Sequence, residues 1–459
     1  MTGKVIKESL LPIPSEQKDL SYSKFTLSLA SDLIALYSFM MGAGAIAAGL
    51  NILQAFVAMM IGLAVDVVLL VLNGLPGFKL GIPMVIQMRP CFGNKSAKIT
   101  GVIRALPALA WFGFNSFLGA LGLNLFSIVL FGYNNVWVWF FIFHILQVIL
   151  SALGVKKMLD FTSYSAVALF VIILAMAAHI RAVFGFSLAS GMMGEGSWGI
   201  PFWLTVTAFI SVGIAVVVNS SDYIRYLKND SMKKYVWSYT LGFVPTMVIM
   251  AGLGMVVVSV SGVWSPIDLF VKYVPNIWII AIAMGFIILG QFSTNMFANI
   301  IPANFVWGEL FKMPWWFASV FTGGLGLIII PWYLTTAAGF FNFMNIYGAL
   351  LGPIAGIMII DFVIIRKGKY NMQALYSGTQ YDYWKGINPA GIIALIIGSS
   401  AGLFYINLSS ITGTIVGALS YYFLYKYWII KKYPQVELSD SYVMSEVSGS
   451  NSKNAKEVE

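Results

Sequence analysis

Two aspartates stand inside long apolar stretches of the sequence, where a charged side chain is rare. Asp32 and Asp66 lie at broadly similar distances from the ends of two consecutive stretches. If such a stretch crosses a lipid bilayer, a carboxylate inside it is costly and therefore indicates a binding or coupling site. The two carboxyls could face one another, bind a cation between them or share a proton. The alternative is a structural aspartate that is protonated or hydrogen-bonded.

A cluster of polar residues interrupts a later apolar stretch. Its members are Gln291, Ser293, Thr294, Asn295 and Asn299. Ser and Thr hydroxyls are hard oxygen ligands that suit a small cation such as Na⁺. Asn295 and Asn299 are four residues apart and share one helix face, and each amide can donate to and accept from a neutral heterocycle that carries N–H and C=O groups. The alternative is hydrogen bonding between helices, worth about 1 kcal/mol per contact.

A third candidate is an aromatic residue with an amide one turn away. Trp111 could stack on a flat ring, and Asn115 lies four residues further along the same face. On its own this pair is weak evidence, because a tryptophan in an apolar helix is more often a packing residue.

His144 and His179 also lie in apolar stretches without a clear partner, and both are predicted to be core histidines.

The composition indicates that this chain is an integral membrane protein. Of 459 residues, 10% are charged, against roughly 25% in soluble domains. Hydrophobic residues make up 59% and the mean hydropathy is +0.84, more apolar surface than a soluble protein of this length can bury. These values exclude a soluble enzyme, a disordered protein and a nucleic-acid binder. The single cysteine, Cys91, excludes a disulfide framework, and the lack of a glycine-rich phosphate loop disfavours an ATP-driven pump.

About twelve apolar stretches are long enough to cross a ~30 Å hydrocarbon core as helices. They run at roughly 27–48, 52–74, 101–128, 134–154, 161–182, 200–222, 236–260, 274–304, 314–333, 336–361, 389–408 and 411–430. Lys and Arg concentrate in the loops on one side, whereas the other side carries only Arg181 and Lys272. This asymmetry predicts an even number of spans with both termini in the cytoplasm.

Two of these stretches contain residues that are unsuited to a regular helix. The first has Ser31-Asp32 and then Gly42-Ala43-Gly44, and the sixth has Gly213 and then the segment 219–222. They lie five spans apart, which indicates two repeats of five helices. Broken helices at matching places in inverted repeats mark the central site of many transporters. The alternative is that the small residues only permit close helix packing.

Other charged residues are predicted to lie near span ends, where long side chains can snorkel and an aspartate can reach water or a partner. They are Arg104, Arg181, Asp222, Asp361 and Lys426. Asp222 and Arg225 are three residues apart and are interpreted as a local ion pair or loop anchor.

Several segments match a known family in its own order. They are 77–83 (GFKLGIP), 89–93 (RPCFG), 111–113 (WFG), 219–226 (NSSDYIRY), 293–299 (STNMFAN), 352–361 (GPIAGIMIID) and 386–390 (GINPA). Together they resemble nucleobase:cation symporter family 1, which includes cytosine, purine, allantoin and hydantoin permeases. The resemblance implies an all-α, LeuT-type membrane fold: two inverted five-helix repeats plus two extra helices, working by alternating access. The resulting division is a cytoplasmic segment at 1–26, repeats at 27–182 and 200–361, extra helices at 389–430 and a disordered cytoplasmic tail at 436–459.

The resemblance also implies roles for single residues. Trp111 stands where the family stacks its substrate, and Asn115 stands where the hydantoin member has a hydrogen-bonding Gln. With these, the predicted substrate site comprises Trp111, Asn115, Gly213, Asn295, Asn299 and Leu36. From the residues and the resemblance together, the predicted cation or coupling site comprises Asp32, Ala35, Gly290, Ser293, Thr294 and Asp66. Na⁺ is expected at Ser293, Thr294 and Asp32.

The sequence departs from the family pattern at four positions. Some members carry a second aromatic where this chain has Gly213, so the pocket is wider or is closed by Phe209 or another ring. Ala108 replaces the Gln of the cytosine permease, which weakens a cytosine assignment. Asp32 falls where that permease has a glycine that offers its carbonyl to Na⁺, and Asp66 is also unusual. The last two changes leave room for H⁺ coupling.

The sequence therefore predicts a secondary active transporter that imports a nucleobase, purine or pyrimidine, or a related heterocycle across the cytoplasmic membrane with Na⁺ or H⁺. An alternative with the same fold is a permease for allantoin, a hydantoin or a thiamine-precursor pyrimidine. A different class is a membrane sensor that binds such a ligand without moving it. We expect no enzymatic activity, no cofactor beyond the coupling ion, no nucleic-acid partner and a monomeric functional unit in the bilayer.

Overall fold

A computed structural model describes residues 10–184, 194–264, 277–328, 336–377 and 380–435. Within these ranges the regular structure is helical, and β pairing is limited to isolated bridges. The predicted tail at 436–459 lies outside the described residues, as do the side chains of His179 and Arg181 and the whole of Lys272.

The long helices follow the predicted spans in order. They are α1 (Tyr22–Leu33), α2 (Leu36–Ala47), α3 (Ile52–Leu80), α4 (Ser96–Phe131), α5 (Val136–Ser151), α6 (Val155–Phe184), α7 (Ile200–Val218), α8 (Met232–Ser261), α9 (Ile277–Thr294), α10 (Ile301–Phe311), α11 (Trp315–Ile328), α12 (Ala337–Ile359), α13 (Pro389–Phe404) and α14 (Ser409–Leu424). Among the described residues, six helices are long and apolar enough to cross a membrane, or up to eight if each sharply bent pair counts as one span. The first predicted span falls on the pair α1 and α2, and the eighth on α9 and α10.

The first span is broken near its middle, as predicted. α1 and α2 meet at an angle of 52°, and Ala35 between them is extended, with φ −142° and ψ 163°. The glycines at 42 and 44 remain helical, contrary to their assignment to the break. A Cβ on Gly42 would lie 1.8 Å from the carbonyl oxygen of Ala251, so the missing side chain lets α2 pack closely against α8.

The sixth span also breaks at its predicted polar segment. α7 ends at Val218, Asn219 leaves the helical conformation, and a short helix follows at Ser220–Ile224. The Asp222 Oδ1 atom accepts a 2.8 Å hydrogen bond from the backbone N–H of Met84. The Arg225 guanidinium donates to the Leu11 carbonyl, so both side chains anchor neighbouring loop segments.

A third irregularity was not predicted. α9 and α10 form one span that is interrupted by a π-helical segment at Asn295–Ile300. π-helical turns within α-helices are frequent at functional sites, because the wider turn leaves main-chain groups and side chains free to face a ligand. This segment contains both asparagines of the predicted polar cluster.

α12, α13 and α14 pack together through small residues. A Cβ on Gly356 of α12 would lie 2.3 Å from the Thr414 carbonyl oxygen, so α12 and α14 approach almost to backbone contact. After α12, the Arg366 Nε donates to Asp361 Oδ2 at 2.8 Å and the Tyr421 hydroxyl donates to Asp361 Oδ1 at 2.7 Å. Asp361 therefore has the partner that its position at a span end predicted.

Candidate substrate cavity and ion site

A cavity lies beside the break in the first span. Its walls come from α1, α2, α4, α7, α9, the π-helical segment and α12. The polar lining residues are Asp32, Tyr37, Arg104, Asn115, Thr294, Asn299 and Tyr347, and the apolar ones are Trp111, Val212, Ala215, Val216 and Ala298. The cavity therefore joins residues that the sequence separates by more than 300 positions.

Trp111 of α4 forms an aromatic wall of this cavity. Its indole is 7% exposed and is held between other rings. Its centroid lies 5.4 Å from the ring of Tyr37, 5.8 Å from Phe340 and 5.7 Å from Phe343. The Phe340 ring meets it edge-on at 89°. Such contacts fix the plane of the indole, which is what stacking on a flat ligand requires.

The three predicted asparagines form one hydrogen-bonded group, but they do not occupy equivalent places. Asn115 and Asn299 line the cavity, whereas Asn295 lies behind them. Asn295 Oδ1 accepts from Asn299 Nδ2 at 2.8 Å and from Asn115 Nδ2 at 3.4 Å. Asn295 Nδ2 donates to Gln147 Oε1 at 2.7 Å. Asn295 therefore orients the other two amides, and Asn115 Oδ1 is left without a hydrogen-bond partner among the described residues.

Five of the six residues of the predicted cation site, all except Asp66, meet where α9 crosses the break between α1 and α2. The Thr294 hydroxyl donates to the main-chain carbonyl of Asp32 and lies 3.1 Å from Asp32 Oδ1. The hydroxyls of Ser31 and Ser293 are hydrogen-bonded to each other. A Cβ on Gly290 would lie 2.6 Å from the Ile34 carbonyl oxygen, so this glycine lets α9 reach the exposed backbone. These hydroxyl, carbonyl and carboxyl oxygens form a donor set of the kind that a hard cation prefers.

Ala35 and Leu36 are the other predicted residues at the break. Ala35 is buried, and its carbonyl accepts a 3.1 Å hydrogen bond from the Ser38 N–H. Leu36 is buried at the start of α2, but it does not line the cavity; the next residue, Tyr37, does. The residue of this segment that lines the cavity is therefore Tyr37, one position after the predicted Leu36.

A family model described as "Permease for cytosine/purines, uracil, thiamine, allantoin" matches residues 12–430. The chain belongs to this family. It is 27% identical to the hydantoin permease of Microbacterium maritypicum over 450 residues, covering 93% of this chain and 90% of the relative. It is also 27% identical to the allantoin permease of Bacillus subtilis (strain 168), covering 88% and 87%.

Solved structures agree with this assignment at the level of the fold. The nucleobase-cation-symport-1 family transporter Mhp1, in a closed conformation with bromovinylhydantoin bound, superposes with a TM-score of 0.85 at 24% identity, covering 93% of this permease and 96% of Mhp1. A Na⁺-coupled sialic acid symporter superposes with a TM-score of 0.63 at 12% identity, covering 92% and 94%. The permease therefore has the LeuT-type fold of about twelve membrane helices, and the predicted family and fold are confirmed.

Gly213 and Asp66 of this permease contact each other outside the cavity. A Cβ on Gly213 would lie 2.0 Å from Asp66 Oδ2, so the carboxyl from α3 fills the space that a side chain at 213 would need. Neither residue lines the cavity. Both Asp66 carboxyl oxygens lack a hydrogen-bond partner among the described residues. No hydrogen bond joins the Asp32 and Asp66 carboxyls among the described residues.

Phe209, which was expected as one ring that could close the pocket, does not line the cavity. Phe209 is buried against α3, where a Cβ on Gly62 would lie 2.6 Å from the Phe209 Cβ, and it is not a lining residue. The other rings that line the cavity are Tyr37 and Tyr347.

His144 is a packed core residue, as predicted: its Nε2 lies 2.9 Å from the Gly323 carbonyl oxygen.

Sequence reasoning missed Arg104. Its position near a span end predicted a side chain that snorkels to the membrane interface, but Arg104 is 1% exposed and lines the cavity. The signal was available, because Arg104, Trp111 and Asn115 are separated by seven and four residues and therefore share one helix face. Tyr37 and Tyr347 were missed as well, and the sequence offers no comparable signal for them among so many aromatic residues.

Proposed function

We propose that this permease imports a nucleobase, purine or pyrimidine, or a related heterocycle across the cytoplasmic membrane by symport with Na⁺ or H⁺. The observation that carries the proposal is the content of one cavity. A fixed indole and two amides share its wall with the Asp32–Thr294 pair. A flat polar ring and a coupling ion would therefore bind side by side.

The amide groups support a ligand that both donates and accepts hydrogen bonds. Asn115 Oδ1 is an acceptor without a partner among the described residues, which suits a ring N–H. Asn299 also lines the cavity and is held by Asn295. A ring that stacks on Trp111 with its edge towards these amides would satisfy both groups at once.

Allantoin or a hydantoin is the second candidate substrate class, with a thiamine-precursor pyrimidine as a further member. Relatives named as hydantoin and allantoin permeases match the chain over most of its length. Gly213 supplies no second ring, and Asp66 occupies the adjacent space. A smaller or non-planar ureide needs less aromatic surface than a purine, so it fits this wall as well as a nucleobase does.

The coupling ion is proposed to bind between Asp32 and Thr294. These residues belong to α1 and α9 and also line the substrate cavity. An ion bound there would hold the two helices together and change the affinity of the neighbouring substrate site. By thermodynamic linkage the substrate would change ion affinity by the same factor. Alternating access would follow if the ion favours the outward-open state and both ligands dissociate into the cytoplasm.

The proposed arrangement in the membrane has both termini in the cytoplasm and a single chain as the transport unit. The low count of basic residues on the opposite side supports this orientation. The broken first and sixth spans support the division into repeats at 27–182 and 200–361.

The position of the substrate is tested by replacing the aromatic wall. We expect Trp111→Ala to lower the affinity of the purified permease for its best ligand by roughly tenfold, since an aromatic pair contributes about 0.5–1.5 kcal/mol beyond its buried area. The ligand is chosen from a panel of uracil, xanthine, adenine, cytosine, allantoin and hydantoin. The matched control is Trp203→Ala on α7, where the indole is 43% exposed. Unchanged binding in Trp111→Ala would show that the substrate lies elsewhere.

A sensor that binds the same ligand without moving it is distinguished by counterflow. Proteoliposomes loaded with unlabelled ligand should accumulate labelled ligand transiently if the chain exchanges it across the membrane. Ligand binding without counterflow would favour the sensor.

A further inference from the structure

The Arg104 guanidinium lies on the cavity wall with part of its hydrogen-bonding capacity unused. Its Nε donates to the Ala215 carbonyl at 2.8 Å and to Asn219 Oδ1 at 2.9 Å. Its Nη2 donates to the Ala298 carbonyl at 3.1 Å. Its Nη1 has no hydrogen-bond partner among the described residues, although the side chain is 1% exposed.

The existing hydrogen bonds fix the guanidinium in place. They run to α7, to the turn that follows it and to the π-helical segment, so the plane of the group is set by backbone on two sides of the cavity. A guanidinium carries five N–H donors and no acceptor. A buried charged donor that finds no acceptor is costly, and this cost persists only where something else compensates it.

No carboxylate compensates Arg104 directly. Among the described residues, its guanidinium is in no ion pair within 4.0 Å, although Asp32 and Asp222 lie close enough to attract it electrostatically. Asp32 Oδ2 also lacks a hydrogen-bond partner there. Three residues that line one cavity thus carry buried polar atoms without a hydrogen-bond partner among the described residues: a cationic donor at Arg104 and acceptors at Asn115 and Asp32.

This pattern of donors and acceptors has a complement among heterocycles. A cyclic imide or ureide carries a ring N–H next to a carbonyl, so its N–H can donate to Asn115 Oδ1 while a carbonyl accepts from Arg104. An exocyclic amino group at the same ring position would place donor against donor. Arg104 stands seven residues before Trp111, about 10 Å along the helix, and a stacked ring would lie between them.

We propose that Arg104 Nη1 donates a hydrogen bond to a carbonyl or anionic oxygen of the substrate and thereby selects oxo heterocycles over their amino counterparts. The proposal rests on the function proposed above, and it narrows the cargo to rings of the uracil, xanthine, hydantoin or allantoin kind. It assigns Arg104 as a specificity-determining residue in the substrate site.

The test removes the carbonyl from the ligand and the guanidinium from the protein. Dissociation constants are measured by calorimetry for hydantoin against imidazolidin-2-one, and for uracil against 2- and 4-hydroxypyrimidine. In the native permease, we expect loss of one particular carbonyl to weaken binding by roughly ten- to a hundredfold, the usual effect of a hydrogen bond to a charged group. In Arg104→Gln this ratio should fall towards one, and Arg104→Lys should retain part of it.

Thr100→Val is the matched control, because Thr100 is another buried donor of α4 that does not line the cavity, and it should leave the ratio unchanged. A native-like ratio in a folded Arg104→Gln variant would overturn the proposal. If both Arg104 variants fail to fold, the native protein still decides. Equal affinity for every ligand with and without its carbonyl overturns the proposal, and a large ratio that survives Thr100→Val supports it. If the native permease binds no heterocycle in the panel, the proposed function fails instead.

Discussion

Asp32 and Asp66 are both fully buried carboxyls in consecutive membrane spans, yet their surroundings differ completely. Asp32 lies at a helix break, lines the cavity and contacts the Thr294 hydroxyl through Oδ1. Asp66 lies within the continuous helix α3, faces Gly213 and has no hydrogen-bond partner among the described residues. One carboxyl is therefore placed among oxygen ligands, and the other fills a gap between helices.

This difference shows that depth in the membrane does not by itself identify a coupling residue. A buried carboxylate is costly in either place, but only Asp32 has neighbouring oxygens that could share a cation or a proton with it. Asp66 lies where a charged carboxylate would be unpaired, and its volume compensates for the missing side chain at Gly213. We therefore propose that the ion binds at Asp32 and that Asp66 is a packing residue.

The largest expected effect follows from removing the Asp32 carboxylate. Asp32→Asn keeps the shape of the side chain but removes a charged ligand from the proposed ion site. We expect concentrative uptake of labelled substrate by cells to fall at least tenfold, equivalent to about 1.4 kcal/mol or more of lost coupling. The variant should remain folded, as judged by monodisperse elution in detergent. Full accumulation by a folded Asp32→Asn protein would exclude a role in coupling.

A smaller effect on transport is expected when Thr294, the residue that contacts Asp32, is replaced. Thr294→Val removes the hydroxyl that bridges α9 to Asp32 while it preserves side-chain volume. We expect the half-saturating concentration of the coupling ion to rise by roughly tenfold, since hydrogen bonds to charged groups contribute about 1.5–3 kcal/mol. Initial uptake rates at varied Na⁺ and at varied pH measure this shift. Thr246→Val on α8, which lies away from the cavity, is the matched control.

The contact between Asp66 and Gly213 predicts that a larger side chain at position 213 lowers the stability of the protein without a direct effect on ion coupling. In Gly213→Ala the new Cβ would lie 2.0 Å from Asp66 Oδ2, and overpacking of this kind costs about 1–3 kcal/mol. The unfolding temperature of the purified variant should therefore fall. The double variant Gly213→Ala with Asp66→Ala should recover most of the loss. A Gly213→Ala protein as stable as the native permease would show that the two residues are not in contact.

The smallest effect is expected for Asp66→Asn. The amide has nearly the same volume as the carboxyl, and no hydrogen bond to a described residue is lost. We expect accumulation to stay within about twofold of native, equivalent to about 0.4 kcal/mol. Uptake assays run in parallel with Asp32→Asn measure it. A loss of accumulation as large as that of Asp32→Asn would assign Asp66 to the coupling machinery.

The positions of the membrane spans were predictable because a span is recognised from the hydropathy of consecutive residues. The spans, and the breaks near Asp32 and at Asn219, follow from residues that are neighbours in the sequence. The assembly of Asn115, Asn299 and Thr294 into one cavity needed the family resemblance, since these residues lie on two different spans.

The missed features depend on contacts between distant segments. The shared helix face with Trp111 and Asn115 was the only local signal for Arg104, because its burial is set by α7 and the π-helical segment. The contact between Asp66 and Gly213 joins two positions that each looked unusual alone. The π-helical segment itself was also missed, because a regular helix was the only geometry that the sequence pattern could supply.

The most direct test of the assignment of the ion to Asp32 is the ion dependence of substrate binding. Dissociation constants of the best ligand would be measured for the native, Asp32→Asn and Asp66→Asn proteins across a Na⁺ series and across a pH series. We predict that one of these series changes the affinity of the native and Asp66→Asn proteins by the same factor and leaves that of Asp32→Asn unchanged. If Asp32→Asn keeps the full ion dependence, the assignment of the ion to Asp32 is wrong.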